Sequence, residues 1–274
     1  MIRTNLEKLV EMAVSGTVAH PCAGDSYSGI NLTVRVGDPA LFWASDGPVE
    51  PGVALENRDP DAAAGLALHA CIGNEAVVLS AAMEGKEKLQ GATGVVTGKT
   101  ACGRVLVHFP KRVVERLSPG DRIQLRAGGR GLQLGDYPDV RCLNLGPKLL
   151  KALNPSEKGG KVRVPVAKVL PGKLLGAFGS GTPGTGDVDI QNGAPESSKE
   201  SLDTLRLGDL VAVSDYDASE GGQWRAGAVT VGAVIHGAGR RGGPGLNILL
   251  TSPKGAIEAI ITRKANLAEL LALQ

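Results

Sequence analysis

Short apolar runs, several alternating with polar residues at a period of two, recur along this chain between clusters of Gly, Pro, Asp and Ser, which is how half-buried β-strands read. Val34-Arg35-Val36, Val105-Leu106-Val107, Ile123-Gln124-Leu125, Val162-Arg163-Val164, Leu210 to Val213, Val229 to Ile235 and Ile248-Leu249-Leu250 are each predicted to be strands. Helical signals are few. Thr4 and Glu7 make a capping box ahead of Leu6, Leu9, Val10 and Ala13, and Asp59-Pro60 opens an alanine-rich stretch to Ala70. Pro110 and Pro147 stand at first-turn positions before short apolar runs, and Lys264 to Gln274 is amphipathic. The expected class is mainly β, an α+β chain with few short helices.

One local pattern recurs. Leu117-Ser-Pro-Gly120-Asp121-Arg-Ile-Gln-Leu125 and Leu205-Arg-Leu-Gly208-Asp209-Leu-Val-Ala-Val213 share an apolar residue, a short spacer, Gly-Asp and a strand. Glycine takes the left-handed turn position and aspartate accepts from nearby backbone amides, so each pair is expected to launch a strand. Asn154 to Gly160 is polar, turn-rich and without apolar periodicity. It is expected to link a domain 1–153 to a second, glycine-rich domain 161–274.

Charge sharpens that division. Residues 1–147 hold 15 Lys/Arg against 16 Asp/Glu, residues 148–173 hold 7 against 1, and residues 174–274 hold 8 against 11. A basic strap thus joins two mildly acidic halves. With a net charge of +2 and eight aromatic residues there is little to neutralise phosphates or stack bases, so nucleic acid is not the expected partner. No apolar run approaches the ~18 residues of a membrane span, and the N-terminus carries no export signal. The four cysteines, Cys22, Cys71, Cys102 and Cys142, are too widely spaced for a CxxC metal knuckle or a dense disulfide framework. A cytoplasmic protein with reduced thiols is expected, and its many short strands leave edges that a homo-oligomer would cover.

Glycine supplies 39 of the 274 residues, so apparent nucleotide motifs arise by chance. Gly179 to Gly184 and Gly237 to Gly242 both match G-x-G-x-x-G, but the residues after each match cannot open a helix. Gly94-Val-Val-Thr-Gly98-Lys99-Thr100 has three residues between its glycines where a phosphate loop needs four. More chemistry is available further on. Asp187-x-Asp189-x-Gln191 and Asp215-x-Asp217 are spaced by two, which sends both carboxylates of a pair to one face of an extended chain. Such pairs suit a divalent cation or acid–base work, though aspartates at strand ends also serve as turn residues. His236 closes the strand 229–235 and could ligate or shuttle a proton. In the first half the polar-aromatic spots are Trp43 to Asp46 with Glu50, His69-x-Cys71, and Asp136-Tyr137-Pro138-Asp139.

These residues carry a resemblance. Trp43-Ala-Ser-Asp46 with Val49 to Val53, Ala70 to Ala76, Asp136 to Val140, Gly186 to Gln191, Leu207 to Val213 and Gly227 to Gly232, in this order over nearly the whole chain, resemble the bacterial and archaeal family called domain of unknown function 4438. The resemblance implies two β-rich domains, the first containing a small barrel, and no assigned activity. The family's pattern tends to place a histidine before Gly243-Pro244-Gly245, where this chain has Gly239-Arg-Arg-Gly242. The second half is also faintly similar to formamidases and acetamidases, through Gly179 to Ile190, Leu210 to Gly222 and the segment from Gly227.

Two functions are weighed. The first is a small-molecule hydrolase acting on an amide-like C–N bond, its cofactor unknown, with a divalent metal (Zn, Mg or Mn) as the candidate. Asp187, Asp189, His236 and Asp215 are then the catalytic set, and Asp187, Asp189, Asp217 and His236 the metal set. Gly181, Gln191, Gly243, Gly245, Asp46, Glu50 and Asp136 are the candidate substrate contacts. The second is a non-catalytic module that binds a small ligand or forms an oligomer. Convergence of Asp187, Asp189, Asp215, Asp217 and His236 in space discriminates between them.

Overall fold

The computed structural model describes residues 2–20, 29–80, 89–178, 182–192, 200–240 and 242–273. Six strands, β1 (Met12–Val18), β2 (Val53–Glu56), β3 (Glu75–Ser80), β4 (Thr93–Lys99), β5 (Val105–His108) and β6 (Arg122–Ala127), close into a barrel in the order β1-β2-β5-β4-β3-β6. Closure leaves no strand edge unpaired, which lets strands as short as β2 and β5 persist. Val18, Val53, Leu55, Val78, Val96, Val107, Ile123 and Leu125 are buried inside, joined by Leu66 of α1 (Pro60–His69). Asp59 caps α1 by accepting from the Ala62 amide at 2.8 Å, as the sequence suggests. After Pro110 comes the single turn α2 (Lys111–Val114), and Pro147 opens α3 (Pro147–Leu153), which Asn154 ends in the left-handed conformation.

The rest of the chain adds β7 (Arg141–Cys142), β8 (Ser156–Lys158), β9 (Lys161–Val166), β10 (Lys168–Pro171), β11 (Leu175–Phe178), β12 (Val188–Ile190), β13 (Leu210–Asp217), β14 (Gln223–His236), β15 (Gly245–Ser252), β16 (Ile257–Ile261) and the short α4 (Leu267–Leu270). One sheet runs β10-β13-β14-β15-β12-β11, with β7 against β15, and curls into a nearly closed second barrel. A three-stranded sheet, β16-β9-β8, completes the chain. Within 154–160, Ser156–Lys158 pair with β9 through a Gly159-Gly160 turn in which both glycines have positive φ. Among the described residues, no helix is long and apolar enough to cross a membrane.

Both Gly-Asp turns behave as the sequence suggests. Asp121 accepts from the Ser118 amide and Asp209 from the Arg206 amide, both at 2.8 Å, with Gly120 and Gly208 at positive φ. Two expectations fail. Val34 to Val36 is not a strand, because Asn31 Oδ1 accepts from the Thr33 and Val34 amides and Asp38 from the Arg35 amide. The capping box yields only a 3-10 turn at Leu6–Lys8, while Thr4 bridges Leu134.

The two halves share one core. Ile72, Leu106, Leu145 and Leu149 from the first pack in a single cluster with Val164, Leu210, Ile235 and Leu249 from the second. The contact is tight at Gly98 of β4, where an added Cβ would lie 2.5 Å from the Ile235 Cβ. Gly98→Ala should therefore cost roughly 1–3 kcal/mol by overpacking a β-branched neighbour. Gly65→Ala in α1 meets nothing within 4 Å and should stabilise by roughly 0.5–1 kcal/mol. Urea unfolding of the two variants checks both signs.

Candidate metal centre

Three strand ends meet where the second sheet borders the barrel. Asp189 of β12 pairs with Gly245 of β15, and Gly245 pairs on its other side with His236 of β14. Side chains two strands apart ordinarily stand roughly 10 Å from each other. Gly245 has none, so those of Asp189 and His236 close over it. An added Cβ there would overlap both His236 Nε2 and Asp187 Oδ2. Asp187, two residues before Asp189, reaches the same face.

The resulting distances are short. His236 Nε2 lies 2.8 Å from Asp187 Oδ2 and 3.6 Å from Asp189 Oδ1, and one ligand atom from each of the three residues lies within 4.8 Å of the others. Ligands about 2.1 Å from a cation sit about 3.0–3.4 Å from one another, a range that the 2.8 and 3.6 Å separations bracket. Asp187 and His236 are buried, whereas the Asp189 side chain is half exposed and leaves one side open. Among the described residues Asp187 Oδ1 is buried without a hydrogen-bond partner, a costly state for a carboxylate oxygen that a cation would relieve. The ring's far nitrogen, Nδ1, lies between the Gly237 carbonyl (3.1 Å) and the Gly245 amide (3.2 Å); it accepts from the amide when unprotonated and donates to the carbonyl in the tautomer that leaves Nε2 free to ligate.

Electrostatics match this geometry. Burial alone would lower the His236 pKa, but the hydrogen bond and charge of Asp187, the charge of Asp189 and the Gly237 carbonyl outweigh it and carry it to about 9. Burial raises the Asp189 carboxyl, His236 opposes that rise, and Asp187 adds to it. A cation must therefore displace a proton from His236 on binding.

The loop that presents Asp187 is held from both sides of the seam. Asn144 Nδ2 donates to the Pro183 carbonyl (2.8 Å), Lys99 Nζ to the Gly184 carbonyl (2.7 Å) and Asn247 Nδ2 to the Gly186 carbonyl (2.8 Å). Lys99 sits at the end of β4 with no exposure, donates also to the Ala67 carbonyl (2.7 Å), and gives its backbone amide to Asn247 Oδ1 (2.6 Å). Burial pushes its amine down to about 7; Cys71 acts against that shift and Arg130 adds to it. None of these three positioning residues is a candidate from the sequence. Their one signal there is the Gly98-Lys99-Thr100 tripeptide, which reads as a false phosphate loop.

The other expected site residues fall elsewhere. Asp217 pairs with Gln223 at the far end of β14, thirteen residues from His236 and so roughly 40 Å along the strand. There it accepts from the Ser219 amide and pairs with Arg225. Asp215 occupies a bulge at positive φ and accepts from the Gly227 amide. Neither belongs to the cluster; period-two spacing fixes which face a carboxylate points to, not which end of the sheet it occupies. Asp136 is engaged by Arg3, far in sequence and outside the cluster. Gln191 is exposed beyond β12, and an added Cβ at Gly243 would overlap the Ile190 carbonyl, so that glycine packs backbone on backbone. Asp46 and Glu50 do come near the cluster's strand. Val49 bridges Gly237, and Asp46 pairs with Arg240 at 3.5 Å, while Glu50 is buried beside that bridge. Gly181 lies outside the described residues.

His236 and Lys99 make opposite contributions to stability. The folded protein keeps a proton on His236 that the unfolded chain loses near pH 6.5, so that contribution is complete below pH 6.5 and lost as pH rises through about 9. Lys99 loses its proton near pH 7 when folded but near 10.5 when unfolded, so its penalty is complete below pH 7 and relieved above it. With chelator present, the wild type should change little in stability between pH 7 and 9. His236→Gln, left with Lys99 alone, should gain on the order of 2 kcal/mol over that span in urea unfolding. A flat profile for the variant would contradict the assignment.

Comparison with known proteins adds family but not activity. No curated protein matches the chain. The crystal structure of TM1086 is similar to it at 35% identity over 98% of both chains, with a TM-score of 0.88. Residues 16–151 match the N-terminal, and residues 152–271 the C-terminal, model of the family described as Domain of unknown function (DUF4438). By that match over nearly its whole length, this chain belongs to the DUF4438 family.

Proposed function

We propose that this protein is a metal-assisted hydrolase of small molecules, with a divalent cation held by Asp187, Asp189 and His236. The observation that carries the reading is the half-open donor set over Gly245, with a buried carboxylate oxygen on Asp187 that has no partner among the described residues. Structural metal sites close their coordination with protein ligands, whereas catalytic ones keep a position for water or substrate. A bound cation would polarise a substrate carbonyl and make water acidic enough to attack near neutral pH. The second carboxylate oxygen of half-exposed Asp189, the one not on the cation, is the group to take and return a proton at the open side. The cation could be Zn, Mg or Mn, since mixed carboxylate and imidazole ligands suit all three.

An amide-like C–N bond is the first substrate class to test, because of the faint formamidase and acetamidase likeness of the second half. The Asp46–Arg240 pair and Trp43, whose ring edge lies against Gly237, stand beside the cluster's strand as substrate contacts. Small molecules, not nucleic acid, are the proposed partners. The basic strap is dispersed, with Arg163 on Glu258 and Lys168 on the Glu200 and Ser201 carbonyls. Assembly of the chain into a homo-oligomer is part of the same proposal.

Asp189→Ala should weaken Zn or Mn binding by at least the roughly 10–100-fold that even outer-shell changes cost, and should abolish hydrolysis of a small-amide panel with the melting temperature nearly unchanged. Gly245→Ala should also weaken metal binding and turnover by displacing the His236 ring, and should lower the melting temperature because its Cβ overlaps buried groups. Calorimetric metal titration and amide turnover measure both. Metal-independent turnover, or unaltered metal affinity in both variants, would sink the reading.

A further inference from the structure

A concave, mostly apolar site lies apart from the Asp187–Asp189–His236 cluster. A groove of about 550 Å³ runs between the N-terminal segment and α3, within the roughly 300–1,000 Å³ typical of small-ligand sites. Its wall and floor are apolar: Ile2, Leu6, Leu134, Leu150 and Pro147 line it. Ile2, Leu134 and Leu150 are themselves buried, so the groove is recessed and suited to a slim chain, not to a flat surface. The N-terminal segment is fixed over it by the Thr4–Leu134 bridge, the Gly135 amide on the Arg3 carbonyl, and the Arg3–Asp136 ion pair.

The charged residues that line this groove are two lysines. Lys148 and Lys151 stand three apart on α3, on one face, both exposed and, among the described residues, without a partner. The acidic groups nearby are engaged, Asp136 by Arg3 and Glu157 by Tyr137. They belong to the basic strap, and unlike Arg163 and Lys168 they have no local role. An apolar cleft with two unpaired ammonium groups at its rim is complementary to an amphiphile with an apolar tail and one anionic head.

We propose that this groove binds a free fatty carboxylate, with the alkyl chain along Leu6, Leu134 and Leu150 and the carboxylate between Lys148 and Lys151. The site is separate from the Asp187–Asp189–His236 cluster and does not depend on its function. Lysine suits the task as a strongly hydrated point charge on a flexible stem, able to follow heads at slightly different depths.

The test is titration of the full chain with dodecanoate, and with dodecanol as the uncharged control, by displacement of a fluorescent fatty-acid probe. Dodecanoate should bind, and the exposed double variant K148E/K151E should weaken it by about tenfold or more while leaving dodecanol nearly unchanged. Thr4→Trp, at an exposed lining position whose tie to Leu134 is through the backbone, should fill the groove and remove both ligands without lowering the melting temperature. Absence of dodecanoate binding, or equal binding by K148E/K151E, overturns the proposal. So does light scattering that shows a dimer which Thr4→Trp dissolves, because the groove then belongs to a second copy. Retention by phosphatidylglycerol vesicles without binding of free dodecanoate overturns it too, in favour of a membrane surface.

Discussion

The candidate centre depends on three buried carbonyls finding donors. Pro183, Gly184 and Gly186 turn their backbone oxygens into the seam between the barrel and the second sheet, where an unpaired peptide group costs several times what a paired one contributes. Asn144, Lys99 and Asn247 supply those donors, and each comes from a rigid element or its edge. The segment leading to Asp187 is thereby fixed by backbone recognition, independent of which side chains it carries. Lysine in that role is expensive, and its amine responds by dropping to about 7. What the seam gains is reach. The side chain extends from the last residue of β4 to tie the Ala67 carbonyl at the end of α1 to the Gly184 carbonyl of the loop.

A second constraint is the missing side chain at Gly245. Cross-strand neighbours normally set a spacing that would keep Asp189 and His236 apart, and a residue between them would fill the space where they meet. A glycine in the middle of that row brings an acid and an imidazole within 3.6 Å, with regular pairing toward β12 and a register shift in the β14–β15 ladder between Val234 and His236. The arrangement resembles neither a helix-borne HExxH site nor a loop cage. It is a site made by subtracting one side chain from a sheet, which is why its ligands come from strands distant in sequence.

Much of this is legible in the sequence, and the rest for definite reasons is not. The predominance of strands, the cap at Asp59, the Gly-Asp turns and the shared face of Asp187 and Asp189 follow from local chemistry, and local chemistry is what a sequence displays; that His236 joins them is a long-range fact. Asp215 and Asp217 are misplaced by it because they share the same local spacing but sit on β13, beside the end of the fourteen-residue β14 away from His236, which is also long-range. Val34 to Val36 is misread because its amides are taken by Asn31 and Asp38, a competition that propensity ignores. Lys99 is invisible as a positioning group because its partners are main-chain carbonyls, which leave no residue-type signature.

The chain divides more clearly in sequence than in energy. Family models split it at residue 151, and composition points to almost the same place. Energetically the cut falls through the middle of one unit. The cluster that holds Leu145 and Leu149 also holds Val164 and Leu249, and Gly98 presses on Ile235 with no room for a methyl group. The ligands all belong to the second half, but the Lys99 amine that fixes their loop belongs to the first, as does Val49, whose bridge to Gly237 holds the strand end beside His236. A second half folded alone would keep the three donor residues and lose the Lys99 and Val49 contacts that brace the loop and strand end carrying them. The seam between the halves is therefore part of the site, and the two β-rich parts are coupled through it by packing and hydrogen bonds more than by the connection between them.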